Sequence, residues 1–123
     1  MNDEVKPKDL KVRTKQFALR IIKLCSSISN SGPTGVISRQ LIRSGTSVGA
    51  QYREAHRARS TAEFISKLES AIQELDETSY WLELLVEGGL VAPAKLSLLL
   101  KEAEELTRIL VASVQTAKRK LRK

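Results

Sequence analysis

The sequence predicts an all-α protein, an up-down-up-down antiparallel four-helix bundle. Three observations predict it. The three prolines stand at 7, 33 and 93, and the glycines gather near 32–35, 45–49 and 88–89, which leaves long segments free of helix breakers. Those segments repeat apolar residues at three- and four-residue steps, the period of one helix face. The breaks between them are short, and short connections make consecutive helices antiparallel neighbours.

The first helix, over 9–28, aligns Leu10, Phe17, Ile21, Leu24 and Ile28 on one face, and the loop Ser29-Asn30-Ser31-Gly32-Pro33-Thr34-Gly35 ends it. The second, over 36–58, carries Ile37, Leu41, Ser44, Val48, Gln51 and Ala55 toward the core. Two residues further on, a rotation of about 200°, runs a second line through Arg39, Arg43, Thr46, Ala50, Arg53 and Arg57. Gly45 and Gly49 cost this helix about 1 kcal/mol each relative to Ala, which close approach of a neighbouring helix would offset.

The third helix, over 61–87, starts at the capping-box spacing Ser60-Thr61-Ala62-Glu63, in which Ser60 and Glu63 satisfy each other's backbone donors. Its expected core line is Ile65, Leu68, Ile72, Leu75, Ser79, Leu82 and Val86, and Gly88-Gly89 ends it. The fourth, over 93–119, opens at Pro93 and repeats Leu96, Leu99, Ala103, Leu106, Leu110, Ser113 and Ala117, with Leu100, Val114 and Leu121 widening the face. A basic tail, 118–123, follows.

At 123 residues, 41% apolar and 28% charged, the chain reads as one domain over 1–123 that needs no disulfide or structural metal to hold its core. Cys25 has no partner, which suits a reducing compartment. Met1–Pro7 does not read as a signal peptide, and no apolar run of eighteen residues spans a membrane, so a cytoplasmic location is expected.

The net charge of +7 is unevenly distributed. Residues 1–62 hold 12 basic and 4 acidic side chains, residues 63–105 hold 3 and 10, and residues 106–123 hold 6 and none. Basic blocks suit a polyanion, and the acidic block suits pairing with basic helices of the same or another subunit. The candidate nucleic-acid contacts are Arg39, Arg43, Arg53, Arg57 and Arg59, with Lys118, Arg119, Lys120, Arg122 and Lys123 of the tail. Only five aromatic residues accompany them, so binding is expected to be led by the phosphate backbone.

Glu74, Glu77, Trp81 and Leu84 share a line out of phase with the third helix's core, which makes them a candidate oligomer interface or the edge of the same bundle. Catalysis finds little support. His56, the one histidine, sits among Arg53, Arg57 and Arg59 and reads as a solvated surface residue. No Glu-x-x-His pair exists for a di-metal site, and Arg53 and His56 are too close in sequence for the Arg/His pair of an all-helical ribonuclease. An enzyme using Glu74, Glu77 or His56 lacks a nucleophile or cofactor motif, so no catalytic residue, metal or cofactor is assigned.

The segment Arg43-Ser-Gly-Thr-Ser-Val-Gly-Ala-Gln-Tyr-Arg-Glu-Ala55, then Ser60-Thr-Ala-Glu-Phe-Ile-Ser-Lys-Leu68 and Asp76-Glu-Thr-Ser-Tyr-Trp-Leu-Glu-Leu-Leu85, resembles the bacterial four-helix bundle proteins encoded in intervening sequences of large-subunit ribosomal RNA genes, sometimes labelled ribosomal proteins. The resemblance implies a cytoplasmic ring, a homopentamer, without established enzymatic activity. A structurally similar basic pentamer assists the reverse transcriptase of diversity-generating retroelements, which extends the analogy to RNA or an RNA-associated protein. Ser47 and Glu54 match the family's second-helix motif while Gln51 replaces its usual Asn, and a structural polar network through these three is expected. Two readings follow: a homo-oligomer binding RNA or nucleoprotein through basic surface, or a structural adaptor whose basic and acidic faces build the ring.

Overall fold

The computed structural model describes residues 7–122, so Lys123 and the amino-terminal segment before Pro7 lie outside the described residues. Four helices follow one another: α1 (Pro7–Ser27), α2 (Gly32–His56), α3 (Thr61–Glu87) and α4 (Pro93–Leu121). Each packs on the next in sequence, α2 against α3 most extensively, while α1 and α4 meet only slightly. The directions alternate. Cys25 lies against Ser38 and Thr14 against Gly49, Ser44 meets Thr78, and Glu54 reaches back to Lys67, so sequence-adjacent helices run antiparallel. This is the four-helix bundle that the periodicity predicts.

The two glycines of α2 explain how closely α1 and α2 approach. A Cβ on Gly45 would stand 2.9 Å from Ile21 Cγ1, and one on Gly49 would stand 3.2 Å from Thr14 Oγ1. Phe17, Ile21, Leu41, Val48, Leu75 and Leu106 are among the fully buried side chains. Each buried aliphatic or aromatic side chain contributes about 1.5–3 kcal/mol.

Four expectations need correction. Helix α2 begins at Gly32 rather than 36, because Pro33 fits a first helical turn and the Gly35 N–H donates to the Ser31 carbonyl at 3.1 Å. Its last residue is His56, not 58. Lys118–Leu121 continue α4 instead of forming a separate tail, since Lys and Arg are good helix formers and cations favour a helix C-terminus. Leu121 itself is 54% exposed and widens no core face.

The phase of α3 also differs. Ala71, Thr78 and Leu85 are buried, whereas Ile72, Ser79 and Val86 are only partly covered. The extensive contact with α2 turns the buried arc of α3 toward that helix, where Thr78 Oγ1 shares hydrogen bonds with Ser44 Oγ at 2.8 Å and the Glu74 carbonyl at 2.7 Å. At its start, Glu63 N–H donates to Ser60 Oγ at 3.0 Å, but the Glu63 carboxylate accepts from the Arg59 N–H at 3.1 Å rather than from Ser60. The capping box is therefore stretched by one residue.

Candidate nucleic-acid interface

The four arginines of the outward line of α2 are exposed, from Arg39 through Arg43 and Arg53 to Arg57 just past the helix end, with Thr46 between them half-buried. Its members differ in what they are free to do. Arg43 is held by two carboxylates of α3: Nη1 donates to Glu74 Oε2 at 3.2 Å, and Nη2 donates to Glu77 Oε1. That second bond raises the guanidinium further above its ordinary value and holds the Glu77 carboxyl below the usual carboxylate range. Trp81 Nε1–H also donates to Glu77 Oε1, at 3.3 Å.

Candidate cation and candidate interface acids are thus one ion cluster within a single chain. Trp81 and Leu84 are partly buried and pack against the core, closing the α2/α3 edge. With Arg43 engaged, Arg39 stands alone toward one end of α2, while Arg53 and Arg57 sit at the other. Among the described residues Arg39, Arg53, Arg57 and Arg59 form no ion pair.

The antiparallel topology then assembles what the sequence keeps apart. The C-terminus of α2, the N-termini of α1 and α3, and the C-terminus of α4 all lie at one end of the bundle. Arg53, Arg57 and Arg59 therefore share an end with Lys118, Arg119, Lys120 and Arg122, some sixty residues later. Lys118 pairs with Glu69 at 3.4 Å and Arg119 donates to Thr116 Oγ1 at 3.3 Å, whereas Lys120 and Arg122 are exposed without an ion pair among the described residues. Arg53 in the last turn of α2 and Lys118–Lys120 in the last turn of α4 each sit favourably on the partial negative charge of their own helix end, while the N-termini of α1 and α3 at the same end carry the opposite sign.

The helices also bring basic residues of α1 that the candidate set omits. Lys11, Lys15 and Lys23 are exposed, and Asp9 is the one acid of α1. The signal was the scarcity of acids in the first half of the chain. Arg13 is spent elsewhere, bridging the α1/α4 seam to Glu102 at 2.7 Å and Glu105 at 3.4 Å.

The polar network expected through Ser47, Gln51 and Glu54 does not form among the described residues. Ser47 Oγ donates to the Arg43 carbonyl at 2.6 Å, and Glu54 pairs with Lys67 at 3.6 Å. Gln51 Oε1 is buried without a hydrogen bond among the described residues. At the spacing of these three residues the hydroxyl finds its own helix backbone first, the usual fate of a Ser within a helix.

His56 is exposed, as expected of a solvated histidine, and its Nε2 lies 2.8 Å from the Tyr52 hydroxyl. Burial pushes the Tyr52 phenol up to about 12 and raises the Cys25 thiol, so neither is ionised near neutrality. Among the described residues no three His, Cys, Asp or Glu side chains are grouped to hold a metal ion. Among the described residues no helix is long and apolar enough to cross a membrane.

Residues 8–112 match the model of the family described as 23S rRNA-intervening sequence protein. The chain is also similar to a crystal structure of a protein of unknown function from the S23 ribosomal protein family of Bacteroides thetaiotaomicron VPI-5482. The two are 34% identical over 90% of this chain and 99% of that one, with a TM-score of 0.82. No curated protein matches.

Proposed function

Because the chain belongs to the 23S rRNA-intervening sequence protein family, we propose that it is a non-enzymatic, cytoplasmic, homo-oligomeric bundle that binds RNA through the phosphate backbone. The observation that carries this reading is the basic end of the bundle, which Arg53, Arg57 and Arg59 share with Lys120 and Arg122 across two diagonal helices, none of the five side chains being ion-paired among the described residues. Each phosphate so neutralised releases counterions, which makes binding steeply salt-dependent. Lys123 extends the same cluster in sequence, and Arg39 adds a contact toward the far end of α2.

Assembly uses a different surface. Val12, Leu19 and Ile22 are 53%, 55% and 41% exposed on the outer side of α1, interspersed with Lys15 and Lys23, an amphipathic stripe suited to a neighbouring subunit in a homopentameric ring. The α2/α3 edge formed by Glu74, Glu77, Trp81 and Leu84 lies on the other side of the bundle from α1, where a ring would set it against the α1 surface of the next subunit.

The test is a titration of a structured RNA at several salt concentrations, with Arg57→Glu and Lys120→Glu combined. Binding is expected to weaken, and the slope of log affinity against log salt to fall by about 0.9 per lost contact. An unchanged slope refutes the assignment. The amphipathic stripe of α1 also favours a second reading, an adaptor that recognises protein alone, in which case the multimer forms and no RNA binds at any salt.

A further inference from the structure

Resting on that reading, we infer that the basic end of the bundle takes double-stranded RNA in preference to single strands. The first argument concerns the bases. A protein that holds single strands offers aromatic faces, and stacking one base strengthens binding by roughly tenfold. This chain has five aromatic residues, all of them accounted for. Phe17 and Tyr52 are buried, Phe64 and Trp81 are partly buried against the core, and only Tyr80 is exposed, at 53%. Tyr80 lies on α3 toward the end opposite Arg57 and Lys120, beside the acidic Glu83 and Glu87. The imidazole of His56 does stand there, exposed at the end of α2, but it is held edge-on against Tyr52 and bonded to its hydroxyl, so a strand lying on the cations finds no Phe, Tyr or Trp ring on which to stack.

The second argument concerns the phosphates. Arg53, Lys120 and their neighbours project from helices and helix ends held by a packed core, so the backbone points that carry the charges are fixed relative to one another. A rigid array matches a rigid target. A duplex presents its phosphates at set spacing and twice the linear density, keeps its bases stacked, and is recognised through shape and backbone. A single strand must be ordered first, with phosphate contacts but no base stacking at this site to repay the lost entropy.

The experiment compares a 20-base-pair RNA hairpin with an unpaired uridine-rich strand of equal phosphate number, by fluorescence anisotropy with the full chain in a salt series. The hairpin is expected to bind at least about tenfold tighter, with the steeper salt slope characteristic of duplexes. Tyr80→Ala is expected to leave hairpin affinity within about twofold, as a ring away from the site should. Equal or tighter binding of the single strand, with strong salt dependence retained, overturns the inference and leaves backbone binding standing. A loss of about tenfold on Tyr80→Ala also overturns it, because a base would then be stacking there. Failure of both RNAs to bind at low salt defeats both.

Discussion

Gly45 and Gly49 occupy the positions where α2 lies closest to α1, and they are not equivalent. At Gly45 an added methyl meets the branched Ile21 side chain at 2.9 Å, which is packed and cannot retreat; at Gly49 it meets the Thr14 hydroxyl at 3.2 Å. Gly45→Ala is expected to destabilise by about 1–3 kcal/mol through overpacking, more than the roughly 1 kcal/mol of helix propensity it gains. Gly49→Ala should fall closer to neutral. Urea midpoints of the two variants check the order. The cluster at Arg43 makes a separate, pH-dependent prediction. The folded Glu77 carboxyl is held below its unfolded value, so its stabilising contribution is complete above the ordinary glutamate range and is lost as pH falls through the lowered value. Titration by NMR should show Glu77 returning toward the usual range in Arg43→Ala. The effect on stability should be small because the pair is largely solvated.

Among the elements, α3 depends most on its ends and its polar seam. Ser60→Ala removes the acceptor for the Glu63 N–H and is expected to cost about 1 kcal/mol. Ser44→Ala leaves the buried Thr78 hydroxyl with one partner fewer and should cost about 1–2 kcal/mol, again read from denaturant midpoints. The number, order and approximate ends of the helices were legible in the sequence because Pro33, Pro93, Gly88 and Ser60 punctuate a clear helical period. The phase of α3 was not. Ile72 and Val86 are better hydrophobes than Thr78, and nothing local says that α2 covers this helix more than α4 does. For the candidate site, the cations were legible by charge alone. That Arg43 would be captured by Glu74 and Glu77 depends on two helices meeting in register, and the placement of Arg57 and Lys120 at one end of the bundle depends on all four. Thr14 and Tyr52 were missed in the core because a hydroxyl hides their burial from a hydropathy pattern.

For the molecule as a whole, the charge distribution separates two activities that the composition blends. Under the proposed function the basic end and the α2 line would face the polyanion, while the outer surface of α3 is acidic and α1 exposes Val12, Leu19 and Ile22. Leu19→Glu is accordingly expected to reduce the light-scattering mass toward that of a single chain while leaving the basic end intact. A mass unchanged by that substitution would move the assembly contact off α1.

The slight contact between α1 and α4 has a consequence in time. Nearly all packing joins helices that are consecutive in the chain, so few long loops must close before contacts reward them, and folding should be fast, in the microsecond to millisecond range. The α2/α3 hairpin, with the most extensive interface, can form before α4 has been synthesised. Its amides should be the last to exchange with deuterium, and those of α1 and α4 flanking the Arg13–Glu102 bridge should exchange earlier. The seam is thus the place where the native molecule first opens and last closes.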